Sequence, residues 1–445
     1  MEEKLHRRDF FTKSSVALLG IGAGFANREP AAGNSFFNKK SDQNVIKGYR
    51  ILGRTGFKVS DIGCGPVTIS HENVLKAALD AGINFIDTAE FYGNGNNELM
   101  VGRAIKDFDR SFIFINTKIG VSEKNTKEDI LTRVNNCLKR LDTNYLDGLT
   151  LWNAGSVNAL KIEAFHQAFK QLKDEGKVRY CGVSCHGSSM GTEPEETMEK
   201  IIGSAIDDGR FDFVLFVYNY IQREMGENIL KECAKNNIGA LLMKTDPFGG
   251  TYLTILESLK NYKAENNPIP ENYRKLYDTV MDKQKQAESF LQKNQLYDST
   301  ARREAAIGFV LDNPSVHSVL ISIRTFEDVI DYVSLSGTGL TTKNTSLIDA
   351  LREKCDHLYC RHACGLCESK CPYNVPVNTI MRYNHYFMAQ RREKYAMRKY
   401  YDLTGSRADK CLYCEGFCEA ACPYGVSIHA LLVAAHNNLG FEKML

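Results

Sequence analysis

The chain has 445 residues, of which 43% are hydrophobic and 25% are charged, and its formal net charge is +2. This composition is typical of a globular protein of about two domains, and the small net charge gives no general electrostatic attraction to nucleic acid or to an anionic membrane. No apolar run approaches the roughly 18 residues of a membrane-crossing helix, so we expect no membrane span in the mature protein.

The N-terminal residues have the pattern of an export signal. Arg7 and Arg8 open a basic segment, and a short apolar stretch from Val16 to Ala26 follows it. This pattern resembles a twin-arginine signal and predicts export of the folded protein to the periplasm; an amphipathic leader that stays attached is the alternative. We assign residues 1–34 to the signal region, without a clear cleavage site, and residues 35–48 to a polar linker.

From about residue 49 to 340, short apolar runs alternate with helical patterns. Several runs are almost continuously hydrophobic, which is typical of strands covered on both faces. Eight such alternations in about 280 residues predict a (β/α)8 barrel over residues 49–340, with an inserted helical segment over 248–299. A doubly wound sheet is the competing fold, but no glycine-rich turn follows the first strand. The predicted strands are Asp61–Val67, Asn84–Ala89, Ser111–Lys118, Leu146–Leu151, Val178–Ser184, Phe211–Val217, Gly239–Lys244 and Ser318–Ser322.

Eight of the fourteen cysteines lie in the last 90 residues, in two runs that each end in Cys-Pro. Thiolates two or three residues apart reach neighbouring irons of one [4Fe–4S] cube, and the cysteine before proline often binds the other cube of a pair. We therefore predict two [4Fe–4S] clusters in a mainly helical ferredoxin-like domain over residues 341–445; zinc ribbons and disulfides are the alternatives. The candidate ligands are Cys360, Cys364, Cys367, Cys371, Cys411, Cys414, Cys418 and Cys422, with Cys355 as a substitute.

By analogy with two-cluster ferredoxins, the last cysteine of each run joins the other run's cluster. Cys422 would complete the first cube, and Cys371 would complete the second. Between the runs, a helical pattern around Ile380–Tyr400 carries six basic residues between positions 381 and 399, among them Arg382. We interpret these charges as a solvated helix face, and docking to an acidic redox partner is the alternative.

A segment at the second predicted strand resembles the aldo-keto reductase signature GxNxxDTAxxYGxxE. It runs from Gly82 through Asp87 and Tyr92 to Glu98. Further matches follow in the order of the family, and the cysteine runs resemble those of its iron–sulfur branch. These matches are Thr117-Lys118, Tyr145-Leu146-Asp147, Gly182-Val183-Ser184, Tyr218-Asn219-Tyr220 and Gly249-Gly250.

The resemblance implies a role for each of four residues in carbonyl chemistry. Tyr92 would protonate the carbonyl oxygen of the substrate while a nicotinamide delivers hydride to its carbon. Lys118 would stabilise the phenolate of Tyr92, and Asp87 would keep Lys118 charged. The fourth family position is a histidine, and it is Trp152 here, whose indole donates one hydrogen bond but relays no proton.

Ser184, Cys185 and Arg324 occupy positions that the family uses to hold NADP(H). Cys185 replaces an asparagine, the family's glutamine is Leu215 or Val217 depending on register, and the phosphate-binding segment that ends at Arg324 lacks its glycine. A carboxamide facing an apolar side chain loses roughly 1–3 kcal/mol per missing partner. These departures, together with export, make NADP(H) a doubtful cofactor.

The sequence therefore predicts an exported iron–sulfur oxidoreductase that reduces or oxidises a small carbonyl-type substrate, with electrons passing through two clusters and a redox partner protein. The alternative is an electron-transfer protein whose barrel is a catalytically retired scaffold. A third reading, ligand binding with structural clusters, has only the concavity of the barrel in its favour. Retention of Asp87, Tyr92 and Lys118 together favours the enzyme.

Overall fold

The computed structural model describes residues 45–186, 196–249, 253, 255–257, 271–388, 390 and 392–440. The predicted signal region and part of the predicted segment over 248–299 lie outside the described residues. Within the described part of the chain, no helix combines the length and the apolar character that a membrane crossing requires.

Eight parallel strands close into a barrel in chain order, behind a two-stranded antiparallel hairpin. The last strand pairs with the first, with Val319 opposite Ile62, and this pairing completes the ring. The hairpin strands are β1 (Tyr49–Ile51) and β2 (Lys58–Ser60). The barrel strands are β3 (Ile62–Cys64), β4 (Phe85–Asp87), β5 (Phe114–Ile119), β6 (Leu146–Leu151), β7 (Val178–Ser184), β8 (Phe213–Val217), β9 (Gly239–Met243) and β10 (Ser318–Ile321).

The predicted (β/α)8 barrel is confirmed, and all eight predicted strands are present. Every residue of β5, β6, β8 and β9 is buried, as expected for strands that have side chains inside the barrel and helices outside it. The first strand is shorter than predicted because Pro66 begins a 3-10 turn. The third begins later than predicted because Asp109 caps another 3-10 turn over Arg110–Phe112.

Helices follow the strands around the barrel, and one long helix lies within the predicted insertion. Thr126 and Asp129 form the predicted capping box at the start of one barrel helix. The helices of the barrel are α1 (Glu72–Asp80), α2 (Asn96–Ile105), α3 (Lys127–Leu141), α4 (Glu163–Asp174), α5 (Met198–Asp208), α6 (Arg223–Lys235), α7 (Glu271–Lys293), α8 (Ser299–Asp312) and α9 (Phe326–Ser334).

The region after the barrel is helical. Its helices are α10 (Thr342–Cys355), α11 (Val377–Met388), α12 (Glu393–Tyr401), α13 (Phe417–Ala420) and α14 (Ile428–Leu439). The helical pattern predicted around Ile380–Tyr400 corresponds to two helices, α11 and α12. The ferredoxin-like character of this region stays a prediction.

This C-terminal region packs onto the end of the barrel where the strands finish. Asn219, just after β8, donates to the Tyr359 hydroxyl at 3.0 Å. Gln222 and His362 exchange two hydrogen bonds, one from the Gln222 amide at 2.7 Å and one from the His362 backbone N–H at 2.8 Å. Lys244, just after β9, lies 3.2 Å from His362 Nδ1. The C-terminal region therefore covers the face of the barrel at which this fold carries out catalysis.

Candidate active site and cysteine groups

A buried ion pair joins the ends of two neighbouring strands. Asp87 ends β4, and Lys118 lies near the end of β5; Lys118 Nζ is 2.5 Å from Asp87 Oδ2 and donates to the Thr88 carbonyl at 2.7 Å. Asn116 donates to the second carboxylate oxygen of Asp87 at 2.7 Å. Lys118 is only 1% exposed. Burial alone would lower the pKa of Lys118, but Asp87 and Tyr92 outweigh burial and raise it, so the ammonium stays charged.

Tyr92 lies against this ion pair on the loop after β4. Lys118 Nζ is 5.2 Å from the centre of the Tyr92 ring, and the two side chains are hydrogen-bonded. Gly93, Asn94 and Gly95 all have positive φ, which turns the chain sharply after Tyr92. Burial raises the pKa of Tyr92 and exceeds the lowering effect of Lys118. The phenol therefore keeps its proton at neutral pH and can act as a proton donor.

Trp152 directly follows β6 at the same end of the barrel. Its ring centre is 4.7 Å from that of Phe91 and 6.3 Å from that of His186. The structure thus brings together all four residues that the resemblance placed in the catalytic set: Asp87, Tyr92, Lys118 and Trp152.

The residues predicted to hold NADP(H) fit this cofactor only in part. Ser184 ends β7, and its hydroxyl accepts from the Asn153 backbone N–H at 2.9 Å. Cys185 is fully buried and continues the sheet by donating to the Leu215 carbonyl at 2.9 Å. Leu215 itself is buried, so neither position offers a strong polar partner to a carboxamide. Arg324 is exposed on the loop before α9, within reach of a phosphate from solvent.

His186 is a member of the site to which sequence reasoning gave no role. Its Nδ1 lies 3.0 Å from Nη2 of Arg382, and its Nε2 is buried without a hydrogen-bond partner among the residues that the structure describes. Burial, Arg382 and Lys118 hold the pKa of His186 well below its usual range, so the imidazole is neutral at physiological pH. The sequence signal that could have indicated His186 is its position two residues after the predicted end of a barrel strand, beside Cys185.

Arg382 of α11 is an exception to the solvated face predicted for the basic stretch, in which Arg392, Lys394 and Arg398 are exposed as predicted. Its side chain points into the protein and is only 3% exposed. Its guanidinium stacks over Tyr386, 4.5 Å from the ring centre, and the Tyr386 hydroxyl is close enough to Tyr92 to help raise its pKa. Helix α11 therefore brings a cation from the C-terminal region to the catalytic residues.

The eight cysteines of the two runs form two adjoining groups. One group lines a small pocket and consists of Cys360, Cys364, Cys367 and Cys422. The other group consists of Cys371, Cys411, Cys414 and Cys418, in which burial, followed by the neighbouring thiols, raises the pKa of Cys411 and of Cys418. In each group the fourth member comes from the other run, as in the predicted exchange. The Cys418 thiol, after burial, also raises the pKa of Cys367, so the two groups are neighbours.

The donor chemistry of these thiols fits the predicted metal clusters, which stay a prediction. Burial and the neighbouring thiols raise the pKa of both Cys367 and Cys411 to about 12, and bound iron would relieve that repulsion. Backbone N–H groups lie 3.4 Å from Sγ of Cys371 and of Cys414, as in hydrogen bonds that stabilise thiolates. Among the described residues, no three His, Cys, Asp or Glu side chains are arranged around one metal ion. A cube differs from such a site because each of its thiolates binds a separate iron.

Comparisons with known proteins agree with this fold. The aldo/keto reductase family pattern matches residues 68–353. The chain belongs to the aldo/keto reductase family, and it is an oxidoreductase of that type. This membership implies an NADP(H)-binding fold.

Individual relatives cover different parts of the chain. The aldo-keto reductase YhdN of Bacillus subtilis is 32% identical over 214 residues, which are 44% of this chain and 60% of that protein. A probable voltage-gated potassium channel subunit beta of Oryza sativa is 25% identical over 302 residues, 64% of this chain and 89% of that protein. An aldo-keto reductase structure from Bacillus halodurans, in its holo form, shares the barrel with a TM-score of 0.50 at 23% identity and covers 72% of this chain and 99% of its own.

Proposed function

We propose that the protein is an exported iron–sulfur oxidoreductase that interconverts a small carbonyl compound and its alcohol in the barrel. Its electrons would travel through two [4Fe–4S] clusters to or from a redox partner protein. The observation that carries the proposal is the buried contact of Lys118 with both Asp87 and Tyr92 beneath the C-terminal region. A scaffold without chemistry gains nothing from a buried charge pair, which costs several kcal/mol of desolvation.

Tyr92 moves the proton at the carbonyl oxygen. In the reducing direction its protonated phenol donates to the developing alkoxide, and the Lys118 ammonium stabilises the phenolate that results. Asp87 holds Lys118 charged through both states. Trp152 packs against Phe91 at one side of the site and excludes water from it.

The two cysteine groups supply the ligands of the clusters. When bound, the clusters provide one-electron transfer over a wide range of potentials. Reduction of a carbonyl to an alcohol consumes two electrons and two protons. The two clusters would supply the electrons one at a time, Tyr92 would supply the proton on oxygen, and a second proton, drawn ultimately from solvent, would go to carbon. The apolar surroundings at the carboxamide positions, Cys185 and Leu215, favour this supply of electrons over a freely exchanging nicotinamide.

Export to the periplasm rests on Arg7, Arg8 and the apolar stretch after them. A route that carries folded cargo suits a protein whose clusters are inserted in a reducing cytosol. The signal, the clusters and the weakened nicotinamide site then belong to one scheme, in which a periplasmic electron carrier replaces a diffusible cofactor.

The decisive experiment uses the full chain, purified without oxygen and reduced chemically. Tyr92→Phe should lower turnover of a panel of aldehydes and oxo acids by about 100-fold or more, because it removes the proton donor. Reduction of the clusters, followed by visible absorbance, should be unchanged. The control is Tyr401→Phe, which alters a tyrosine that is 58% exposed. Equal turnover in Tyr92→Phe and wild type would remove the enzymatic proposal.

The same preparation tests the source of electrons. Iron and acid-labile sulfide should each be present at about eight atoms per chain, as two cubes require. NADPH should neither bind tightly nor transfer hydride stoichiometrically to a carbonyl. A colourless protein without sulfide, or one that oxidises NADPH stoichiometrically, would refute electron supply through clusters.

The second candidate is an electron-transfer protein with a retired barrel. It is favoured by Trp152, which stands where a catalytic histidine is expected, and by Leu215. It predicts cluster reduction in wild type with no turnover of any carbonyl compound, so the panel above separates the two functions.

A further inference from the structure

Two buried polar groups near Tyr92 have hydrogen-bonding capacity that the protein does not use. Within the described part of the chain, Nε and Nη1 of Arg382 have no partner, and neither does Nε2 of His186. Buried guanidinium N–H groups without acceptors are costly, because they have lost water without gaining hydrogen bonds. Such groups persist where a ligand completes them.

The contact between the two side chains fixes the tautomer of His186. Arg382 is always protonated and only donates, so His186 Nδ1, 3.0 Å from Nη2, accepts. The single proton of the neutral imidazole is then on Nε2. His186 therefore offers an unused N–H donor beside the unused donors of Arg382.

The side chains around these donors carry an excess of positive charge, which favours the binding of an anion. Lys118 and Lys244 are the other cations nearby: Lys118 acts on the His186 ring, and Lys244 Nζ is 3.5 Å from the His186 carbonyl oxygen. The carboxylate of Asp87 is already engaged by Lys118 at 2.5 Å. Among the described residues, no carboxylate forms an ion pair with Arg382, which leaves the guanidinium without a counter-charge.

We propose that Arg382 and His186 form a carboxylate-binding subsite, so that the substrate is a short oxo acid or the corresponding hydroxy acid. A planar guanidinium matches a carboxylate with two parallel hydrogen bonds, and the imidazole N–H adds a third. This inference rests on the proposed function, since it names the substrate class of the same site.

The subsite and Tyr92 have neighbours in common. Tyr386 lies under the Arg382 guanidinium and acts on Tyr92, while Lys118 contacts Tyr92 and acts on His186. We therefore expect one molecule to accept from Tyr92 with its carbonyl oxygen and to present a carboxylate to these donors. A neutral aldehyde would leave the donors of Arg382 unsatisfied.

The test measures binding of oxamate, a carboxylate that resembles a 2-oxo acid, to the cluster-loaded full chain. Trp152 is the single tryptophan of the chain, and its ring lies 6.3 Å from His186, so its fluorescence reports binding in the site. We expect oxamate to bind about 10-fold or more tightly than the neutral oxamide. Arg382→Gln should weaken oxamate binding by about 10- to 100-fold, and Arg382→Lys by less, because lysine keeps the charge but not the fork.

The matched control is Arg392→Gln, which removes an exposed arginine that stacks 4.1 Å from the Tyr395 ring centre. It should change oxamate affinity by no more than about twofold, since an exposed charge is screened by solvent. Cluster absorbance and circular dichroism establish that each variant folds.

Three results would overturn the subsite: unchanged oxamate binding in Arg382→Gln, equal affinity for oxamide and oxamate, or a shifted cluster potential in Arg382→Gln with oxamate affinity intact. The last result would assign the guanidinium to a cluster. Failure of the proposed function looks different, because oxamate would still bind through Arg382 while no oxo acid was turned over.

Discussion

The charge of Asp87 stabilises the folded protein because its partner is buried. Asp87→Asn keeps the shape of the side chain but leaves the Lys118 ammonium, only 1% exposed, without a counter-ion. We expect the free energy of unfolding to fall by about 3–5 kcal/mol, the usual cost of breaking a buried pair from one side. Anaerobic urea unfolding followed by circular dichroism measures the loss.

A surface pair provides the comparison for that measurement. Lys170 and Asp174 form an exposed ion pair one helical turn apart. Asp174→Asn should cost less than about 1 kcal/mol, because water already solvates both charges. Similar losses for Asp87→Asn and Asp174→Asn would contradict the stabilising role of the buried pair.

At the scale of single residues, contacts between residues close in the sequence were predicted, and contacts between distant residues were not. Asp87, Tyr92 and Lys118 lie within a local motif and the next strand, and the structure brings them together as expected. Arg382 was taken for a solvated charge because its partner His186 is 196 residues away. Burial of that kind depends on tertiary packing, which no helical pattern contains.

Among the elements, β9 and β10 are joined by a histidine whose protonation should destabilise the fold. His317, just before β10, accepts from the Ala240 N–H of β9 through Nδ1 at 3.0 Å. Burial, followed by the charge of Arg50, lowers the pKa of His317 from 6.5 to about 4. Between pH 6.5 and about 4, His317 is therefore protonated in the unfolded chain but neutral in the folded chain. The free energy of unfolding falls as the pH drops through this range.

We expect this histidine to cost about 2 kcal/mol of unfolding free energy when the pH falls from about 7.5 to about 5. His317→Gln has no ionisable group there, and its amide oxygen still accepts the Ala240 N–H. The pH dependence of unfolding should be smaller in His317→Gln than in wild type by that amount. Identical pH dependence in both proteins would show that His317 protonates freely in the folded state.

Several strands were predictable because their runs are almost continuously apolar, as expected for a sheet buried on both faces. β6 and β7 agree with their predicted bounds from end to end. The errors lie at the ends of strands, where Pro66 and Asp109 start 3-10 turns inside apolar stretches. The apolar pattern indicates that these residues are buried, but the proline and the capping aspartate determine the backbone conformation.

Over the whole molecule, the C-terminal region works as a cover for the barrel as well as a holder of cysteines. Asn219 and Tyr359, and likewise Gln222 and His362, meet across 140 residues of sequence. The sequence predicted the two parts separately and gave no sign of their contact. Both halves of that contact are ordinary polar residues, which become informative only when they are buried opposite each other.

This cover should loosen when its polar contact is removed. Gln222→Leu leaves the backbone N–H and carbonyl of His362 buried and unpaired, at a cost of about 2–4 kcal/mol. Because His362 lies between Cys360 and Cys364, we expect the visible absorbance of the clusters to be lost at a lower temperature than in wild type. The control is Gln171→Leu, which removes a surface hydrogen bond to Glu175 and should cost less than about 0.5 kcal/mol. Equal cluster stability in Gln222→Leu and the control would mean that the barrel and the C-terminal region hold their cofactors independently.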